Sequence, residues 1–504
     1  MNPYPASSRA RLVAVAGAIC CLALSMLAPS TATAAEGDRP NVIVVMTDDQ
    51  TVDDMVVMTK TRRLLGDRGA TFDSFVTSYS LCCPSRATFL TGRYAHNHGV
   101  LGNPAIGDGT GGWPALYDKW NTLPVWLRQA GYRTGYVGKF LLGHANRFRK
   151  GVRQIPPGWS DWWGLPGFSK ETMYGYKLSH NGRVRRYGTK PRDYQTDVFA
   201  GLARSFIKQG VRAKQPFFLT VAPLAPHVEG VREDSARRIP PRPAPRHAAT
   251  PVPPFERKPG YSAEALNEAD ASDKPAWLAA KPPYSAQQLD YQTKVLYPAR
   301  LRSLLAVDDL VAGIEKTLKR QGIAEKTYVL FTSDNGYMLG EHRLSGKNWA
   351  YRESSDVPLL VRGPGIAPGS RPSGLASNLD LAPTIAAMAG ITIPVSADGV
   401  SLMPLLTRGA EVRQDLLVES FEGHGNAPGT SNKALGLGSH LGVRTKRYVY
   451  LEYFDGSKEL YDLEVDPRQL TNVVDDPAYA AVRTEMSERL HQLKRCFGAT
   501  CRTP

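Results

Sequence analysis

Five short apolar runs, separated by segments with helical periodicity, constrain the fold of this 504-residue chain more than any other feature. Runs of this length are typical of strands buried on both faces, as in a parallel sheet. Segments such as Leu123 to Gln129 and Leu301 to Arg320 have the spacing of helices, and strands that alternate with helices indicate an α/β fold. The runs are Asn41 to Met46, Gly135 to Val137, Phe217 to Val221, Tyr328 to Phe331 and Pro358 to Val361.

Polar side chains follow four of these runs. In open α/β sheets, ligands bind beyond the carboxyl ends of the strands, so we expect these side chains to meet at one edge of the sheet. Three carboxylates there would repel one another unless a cation joined them, and hard oxygen donors suit calcium or magnesium better than zinc. The residues are Asp48, Asp49, Lys139, His227, Asp334 and Asn335.

The first 35 residues have the pattern of a secretory signal peptide. Arg9 and Arg11 precede an apolar run from Leu12 to Leu27, and the small residues 32–35 offer a cleavage site. The apolar run is shorter than the ~20 residues that a membrane-spanning helix needs. We therefore expect a secreted, extracellular protein with no stable membrane insertion.

The remaining chain divides into a main domain and a smaller one. Residues 36–396 contain the strand and helix pattern, interrupted at 228–296 by an irregular stretch rich in Pro and Arg. That stretch is either a loop that shapes access to a site or a passive surface insertion. Residues 397–504 predict a smaller α+β subdomain, with a strand at Tyr448 to Glu452 and a helix at Ala480 to Arg495.

Charge and cysteine usage agree with an exported protein. Removing residues 1–35 takes away two arginines and no acid, which lowers the formal net charge from +15 to +13. A basic surface attracts polyanions, among them sulfated glycans, nucleic acid and anionic lipid. Cys496 and Cys501 are close enough in an exported chain to predict a short-loop disulfide. Cys82 and Cys83 are adjacent, an arrangement that disfavours a bond between them.

The segment Leu81 to Arg93 carries the most specific motif. Its Cys82-Cys83-Pro84-Ser85-Arg86 run, followed by Thr91-Gly92-Arg93, resembles the signature of the formylglycine-dependent sulfatases. In that family the first cysteine of the motif is oxidised to formylglycine (3-oxoalanine) by a separate formylglycine-generating enzyme. The resemblance therefore implies that Cys82 is the modified residue and that the fold is alkaline-phosphatase-like, with a large, mostly parallel sheet flanked by helices.

The same resemblance assigns roles to the other polar residues. It makes Asp48, Asp49, Asp334 and Asn335, with an oxygen of modified Cys82, the ligands of a calcium ion, with magnesium the weaker alternative. Arg86 supports the formylglycine, Lys139 and Lys347 contact the sulfate, and His227 lies near the leaving group.

The chemistry of sulfate ester hydrolysis agrees with these roles. Attack on an anionic sulfur centre needs cations that offset charge on the nonbridging oxygens. A hydrated aldehyde at residue 82 carries two hydroxyls on one carbon, so that one attacks sulfur, with Asp334 as its base, and the other expels sulfate. His227 could protonate the departing alcohol.

Several shorter segments resemble one part of the family, the N-acetylglucosamine-6-sulfatases and extracellular heparan endosulfatases. They include the double cysteine, Tyr94 to His98, and Gly138 to Leu141. Many sulfatases have a histidine where this chain has Leu141, and His144 is one candidate to replace it. His96 and His98 either contact sugar or order a loop.

The function implied is that of a secreted sulfuric ester hydrolase acting on sulfated glycans, such as N-acetylglucosamine-6-sulfate or heparan-type sugars, without nucleic-acid binding. An arylsulfatase of broad specificity is the first alternative. A phosphonate or phosphate ester hydrolase of the same superfamily is the second, and a non-catalytic protein that binds sulfated glycans is the third.

Overall fold

The computed structural model describes residues 39–103, 111–145, 154–166, 171–230, 238–421 and 438–502. The predicted signal peptide of residues 1–35 lies outside these ranges. The described strands are β1 (Asn41–Thr47), β2 (Ala70–Thr71), β3 (Phe75–Val76), β4 (Arg133–Gly138), β5 (Asp161–Gly164), β6 (Lys177–His180), β7 (Arg183–Arg186), β8 (Phe217–Ala222), β9 (Thr327–Ser333), β10 (Met338–Leu339), β11 (Ser345–Gly346), β12 (Leu359–Arg362), β13 (Ala376–Ser377), β14 (Asp415–Ser420), β15 (His440–Thr445), β16 (Tyr448–Tyr453) and β17 (Lys458–Asp462).

The described α-helices lie between these strands, except for the last helix, which follows β17. They are α1 (Thr59–Thr61), α2 (Cys82–Thr91), α3 (Ala95–His98), α4 (Gly112–Ala115), α5 (Leu123–Gln129), α6 (Gln195–Ala213), α7 (Ala276–Ala279), α8 (Ala286–Asp290), α9 (Tyr297–Arg320), α10 (Arg352–Ser355), α11 (Leu381–Met388), α12 (Met403–Arg408) and α13 (Ala480–Leu493). None of the helices within the described ranges is long and apolar enough to cross a membrane.

A large central sheet organises the molecule. In the described part of the chain it has nine strands, in the order β2-β12-β9-β1-β8-β4-β5-β6-β7. The five central strands, from β9 to β5, are mutually parallel. The five apolar runs of the sequence all fall in this sheet, which confirms the predicted α/β class.

The edges of the sheet are antiparallel, so the sheet as a whole is mixed. β12 was expected among parallel strands, but it pairs antiparallel with β9. The one helix in the chain between Ser333 and Leu359 is the single-turn α10, so no crossover helix joins the two strands. Because a parallel return needs a crossover of about a dozen residues or more, β12 re-enters the sheet from the edge at which β9 left it.

Helices cover both faces of the sheet, and β1 shows how. Successive side chains of a strand point to opposite faces. Ile43 and Val45 pack in one core with residues of α6 and α9. Val42, Val44 and Met46 pack in a second core with residues of α2, α5 and α11. A strand buried on both sides has no polar alternation, which is why the run reads as continuously apolar.

A second, smaller sheet follows in the chain. β14, β15, β16 and β17 pair antiparallel in that order, and α13 packs against one face through Met486, Leu490 and Leu493. The opposite face packs against Trp349 and Tyr351. A disulfide joins Cys496 and Cys501, whose Cα atoms lie 5.0 Å apart. The C-terminal sheet therefore supports the segment that carries Lys347.

Candidate active site

The site begins at the carboxyl ends of the adjacent strands β1 and β9. Asp48 and Asp49 follow β1, Asp334 and Asn335 follow β9, and all four are fully buried. The Asp49 amide donates to Asp334 Oδ1 (3.1 Å), and Asn335 Nδ2 donates to Asp49 Oδ1 (2.7 Å). Asp49 has a φ of 69°, which is uncommon for a residue other than glycine and is often found at functional sites. The parallel pairing of two strands thus joins residues nearly 290 positions apart.

Cys82 is the first residue of α2, a helix whose ten residues are all buried. Its Sγ lies 2.7 Å from Lys347 Nζ, 3.7 Å from Lys139 Nζ and 3.8 Å from Asp48 Oδ1. The thiol here stands in for the oxygen atoms of the predicted aldehyde. Because a helix N-terminus carries partial positive charge, its position favours an anionic group at residue 82.

Each of the three carboxylates pairs with at least one cation, and Asp48 also lies 3.5 Å from Arg86. Arg86 contacts Asp334 at 2.8 Å and Lys139 contacts Asp48 at 2.6 Å, while Lys347 Nζ contacts Asp49 Oδ1. Burial alone would raise the pKa of Asp48, but the charge of Lys139, with those of neighbouring groups, holds it below its usual range. Burial and the like charge of Asp48 raise the pKa of Asp334. The cluster is thus a dense set of charges with little access to water.

A glycine allows Lys139 to enter this cluster. Gly138, the last residue of β4, has a φ of +123°, and a Cβ on it would lie 2.0 Å from the Ala222 carbonyl oxygen. The same carbonyl accepts a hydrogen bond from the Lys139 amide at 2.9 Å. Only a residue without a side chain permits this approach of β4 to β8. The close approach of β4 to β8 therefore explains why a glycine precedes Lys139.

The donor set fits a hard cation. Ligand atoms of Asp48, Asp49, Cys82 and His227 lie within 4.8 Å of one another. Asn335 Oδ1 is buried and has no hydrogen-bond partner in the part of the chain that the structure describes. Both oxygens of Asp334 accept hydrogen bonds, Oδ1 from the amides of Asp49 and Asn335 and Oδ2 from Arg86. Carboxylate and amide oxygens are the donors that calcium and magnesium prefer.

His227 and Glu171 lie next to this cluster. His227 Nε2 is 3.6 Å from Asp49 Oδ2, and its Nδ1 is 2.6 Å from the Val228 carbonyl oxygen. Glu171 bridges Lys139 Nζ at 3.1 Å and His227 Nε2 at 3.8 Å. The neighbouring charge of Lys139 outweighs burial and lowers the pKa of Glu171 to about 2. No sequence pattern indicates a role for Glu171, since it follows no apolar run and belongs to no recognisable motif.

The segment that carries Lys347 is fixed from both sides. Asn348, with a φ of +76°, donates its amide to the Ser80 carbonyl at 2.8 Å and accepts from Ser420 Oγ at 3.0 Å. Trp349 stacks on Trp277 with ring centroids 5.5 Å apart. Contacts to the helix α2 region and to the C-terminal sheet thus hold Lys347 against residue 82.

A cavity of about 530 Å³ opens on Asp49, His227 and Lys347. This volume lies within the range of about 300 to 1,000 Å³ typical of small-molecule sites. The irregular stretch 228–296 contributes several lining residues, so the structure favours a role in substrate access over a passive insertion. Those residues are Val228, Arg238, Trp277, Ala280 and Lys281.

His96, His98 and His144 do not line this cavity. His144 packs against the rings of Phe140 and Trp162, at 5.3 and 5.5 Å between centroids. Burial lowers its pKa to about 4. His98 Nε2 lies 3.1 Å from Thr88 Oγ1, and His96 Nδ1 lies 2.6 Å from Glu419 Oε1. In the structure His96 and His98 order a loop, and His144 does not contact Cys82.

Comparison with known families gives two matches. The family model described as "Sulfatase" matches residues 40–391. A second model, "N-sulphoglucosamine sulphohydrolase, C-terminal", matches residues 340–496.

Two curated relatives cover most of the chain. The N-acetylglucosamine-6-sulfatase of Homo sapiens is 34% identical over 99% of this chain and 91% of that protein. The arylsulfatase of Volvox carteri is 32% identical over 97% of this chain and 80% of that protein.

Solved structures show the same fold. A protein in complex with its substrate D-glucosamine-2-N,6-O-disulfate has a TM-score of 0.68 and 23% identity, covering 91% of this chain and 98% of that chain. The phosphonate monoester hydrolase of Agrobacterium radiobacter has a TM-score of 0.68 and 23% identity, covering 90% and 95%. At this level of identity both establish the fold alone, and they confirm the expected alkaline-phosphatase-like architecture.

Proposed function

Because the chain belongs to the sulfatase family, and is therefore a sulfuric ester hydrolase, we propose that it removes sulfate from N-acetylglucosamine-6-sulfate or a heparan-type sugar. Its relatives in human, goat and cattle carry the name N-acetylglucosamine-6-sulfatase at 34 to 35% identity. The cavity, lined by Arg238, Lys281 and Lys347, supports an anionic substrate.

One observation carries the proposal. Lys139, Lys347 and Asp48 converge on the Sγ of Cys82, at the N-terminus of a buried helix and beside the cavity. The ammonium groups of Lys139, which is buried, and Lys347, whose side chain is 14% exposed, place two positive charges beside the thiol, where they could hold an anionic group. We propose that a formylglycine-generating enzyme oxidises Cys82 and that the hydrated aldehyde then supplies the nucleophile.

The surrounding residues have complementary roles. Lys139 and Lys347 offset the charge of the nonbridging sulfate oxygens, where preorganised cations in a dry site are most effective. Arg86 contacts Asp334 and donates to the Lys139 carbonyl at 2.7 Å. It thereby holds both residues in place next to residue 82. His227 lines the cavity beside Lys347, in a position to give a proton to the departing sugar oxygen.

The carboxylates are proposed to hold a metal ion. Asp48, Asp49, Asp334 and Asn335, with an oxygen of the modified residue 82, would bind calcium in preference to magnesium, because calcium tolerates irregular oxygen cages. When bound, the ion would supply positive charge beside the sulfate. The signal-like pattern of residues 1–35 supports export, and the protein is proposed to act outside the cell.

The test is sulfate release by purified protein whose Cys82 peptide mass shows the aldehyde. N-acetylglucosamine-6-sulfate, a sulfated heparan oligosaccharide and an aryl sulfate are the substrates, and Cys82→Ala is the matched inactive variant. Release from the sugars supports the proposal. Release from the aryl ester alone would favour the arylsulfatase alternative. If no sulfate is released from any of the three and a phosphonate ester is hydrolysed, the result would contradict a sulfate ester as the substrate.

A further inference from the structure

The cavity has two cations beyond those that surround residue 82. Arg238 and Lys281 both line it, and Asp49, which Lys347 already contacts, is the one acidic side chain among the described residues of the lining. Within the described ranges neither Arg238 nor Lys281 forms an ion pair through its side chain. A cleft lined by one sign of charge attracts a ligand of the opposite sign.

Arg238 lies next to the reacting end of the cavity. A Cβ built on Gly346 would be 4.0 Å from Nη2 of Arg238, and Gly346 directly precedes Lys347. The guanidinium is therefore near the backbone that leads into Lys347, and it is not part of the cluster around residue 82. An anion that reached Arg238 would be a second group on the substrate, beside the sulfate that is removed.

The part of the wall that carries Lys281 is held by several hydrogen bonds. Arg343 donates to the Glu268 carbonyl at 2.7 Å, to the Ala269 carbonyl at 2.6 Å and to the Lys281 carbonyl at 3.1 Å. His342 Nδ1 lies 2.7 Å from Glu268 Oε2. The irregular stretch is thus bound to the same segment that carries Lys347. Cations on a preorganised wall lose little entropy when they bind an anion.

The cavity also has an apolar surface. Trp277 and Trp349 are stacked with an interplanar angle of 12°, and both line the cavity. Aromatic walls with a few placed polar groups are typical of sites for small molecules. A sugar ring on this surface would direct one acidic group toward Lys347 and another toward Arg238 or Lys281.

We propose that Arg238 and Lys281 form a subsite for a second acidic group of a sulfated glycosaminoglycan, either an N-sulfate on the same sugar or the carboxylate of a neighbouring uronate. The inference rests on the proposed sulfatase function and narrows its substrate. It gives the irregular stretch a specific task, which is to select sugars with two anionic groups over sugars with one.

The experiment compares kcat/KM for N-acetylglucosamine-6-sulfate, glucosamine N,6-disulfate and a 6-sulfated disaccharide with a uronate. Matured wild type is compared with Arg238→Gln, Lys281→Gln and the double variant. Lys208→Gln, an exposed lysine on α6 that lines a different cavity, is the matched control. The wild type and the control are expected to prefer at least one dianionic substrate, and the double variant to lose about tenfold of that preference, mainly through KM.

The outcomes separate the two proposals. The dianionic substrate whose preference falls identifies the group that the subsite binds. An unchanged preference in the double variant, or an equal loss on all three substrates, would overturn the subsite while leaving the sulfatase function in place. If matured wild type releases no sulfate from any of the three substrates, the proposed function and the subsite are both overturned.

Discussion

Gly138→Ala should uncouple the end of β4 from the active site. Ordinary Cβ contacts begin at 3.4 Å, and the new Cβ would lie 2.0 Å from the Ala222 carbonyl oxygen. The two backbones must therefore separate by about 1.4 Å, the difference between those distances. Phe199, at 3.0 Å from the same Cβ position, blocks movement on another side.

Two contributions determine how much Gly138→Ala lowers the free energy of unfolding. An alanine at a φ of +123° stores backbone strain of about 1 to 3 kcal/mol. Loss of the bond from the Lys139 amide to the Ala222 carbonyl removes about 1 kcal/mol more. We expect the free energy of unfolding to fall by about 2 to 4 kcal/mol, and kcat/KM for a sulfate ester to fall about a hundredfold, because Lys139 moves by about 1 Å.

Urea denaturation measures the first quantity, and sulfate release by matured protein the second. Gly322→Ala is the matched control, since Gly322 also has a positive φ, +68°, but a Cβ there meets no atom within 4 Å. The control should lose only about 1 to 2 kcal/mol and no activity. Equal stability and equal activity of the two variants would refute the claim that close approach at Gly138 positions Lys139.

Three further predictions concern charge and metal. Glu171→Gln should lower kcat/KM about tenfold, since it removes one carboxylate that positions Lys139 and His227. It should also lower the urea midpoint at neutral pH, because a carboxylate whose pKa is lowered in the folded state stabilises the fold. Glu171→Asp should recover part of the activity, and full activity of the glutamine variant would contradict the role. Burial would lower the pKa of His96, but Glu419 outweighs it and raises the pKa to about 9 from 6.5. The protonated imidazole should therefore stabilise the fold fully below pH 6.5 and no longer do so once the pH has risen through 9. In urea titrations the wild type should exceed His96→Gln by up to about 3 kcal/mol in the free energy of unfolding at low pH. A difference between the two proteins that does not change with pH would contradict this role of His96. Chelation of divalent cations should abolish turnover, and added calcium should restore it. Calcium at a hundredfold excess over Kd should also raise the free energy of unfolding by about 2.7 kcal/mol. Equal turnover and equal stability with and without calcium would contradict the metal site.

Some parts of the structure could be predicted because their determinants are local. The apolar run at β1 and the helical spacing at α5 define these elements without tertiary information, and α5 has the predicted bounds. The acids after β1 and β9 could be expected to meet, because the carboxyl ends of parallel strands share one edge of the sheet. The motif around Cys82 is contiguous, so one segment identifies the family.

Other parts depend on contacts that a sequence does not display. The direction of β12 is set by the path of the chain after β9, not by its own composition. Glu171 reaches Lys139 from a segment without periodicity, and Arg238 and Trp277 reach the cavity from a stretch that predicts only a loop. These positions depend on long-range hydrogen bonds such as those of Arg343, which no local pattern reveals.

Hydrolysis by an aldehyde at residue 82 can be tested with protein matured to different extents. Protein produced with and without a formylglycine-generating enzyme yields preparations with different fractions of aldehyde, measured from the mass of the Cys82 peptide. The rate of sulfate release from N-acetylglucosamine-6-sulfate, per mole of protein, is predicted to rise in proportion to that fraction and to be absent in Cys82→Ala. A rate independent of the aldehyde fraction, or activity in the alanine variant, would contradict the account.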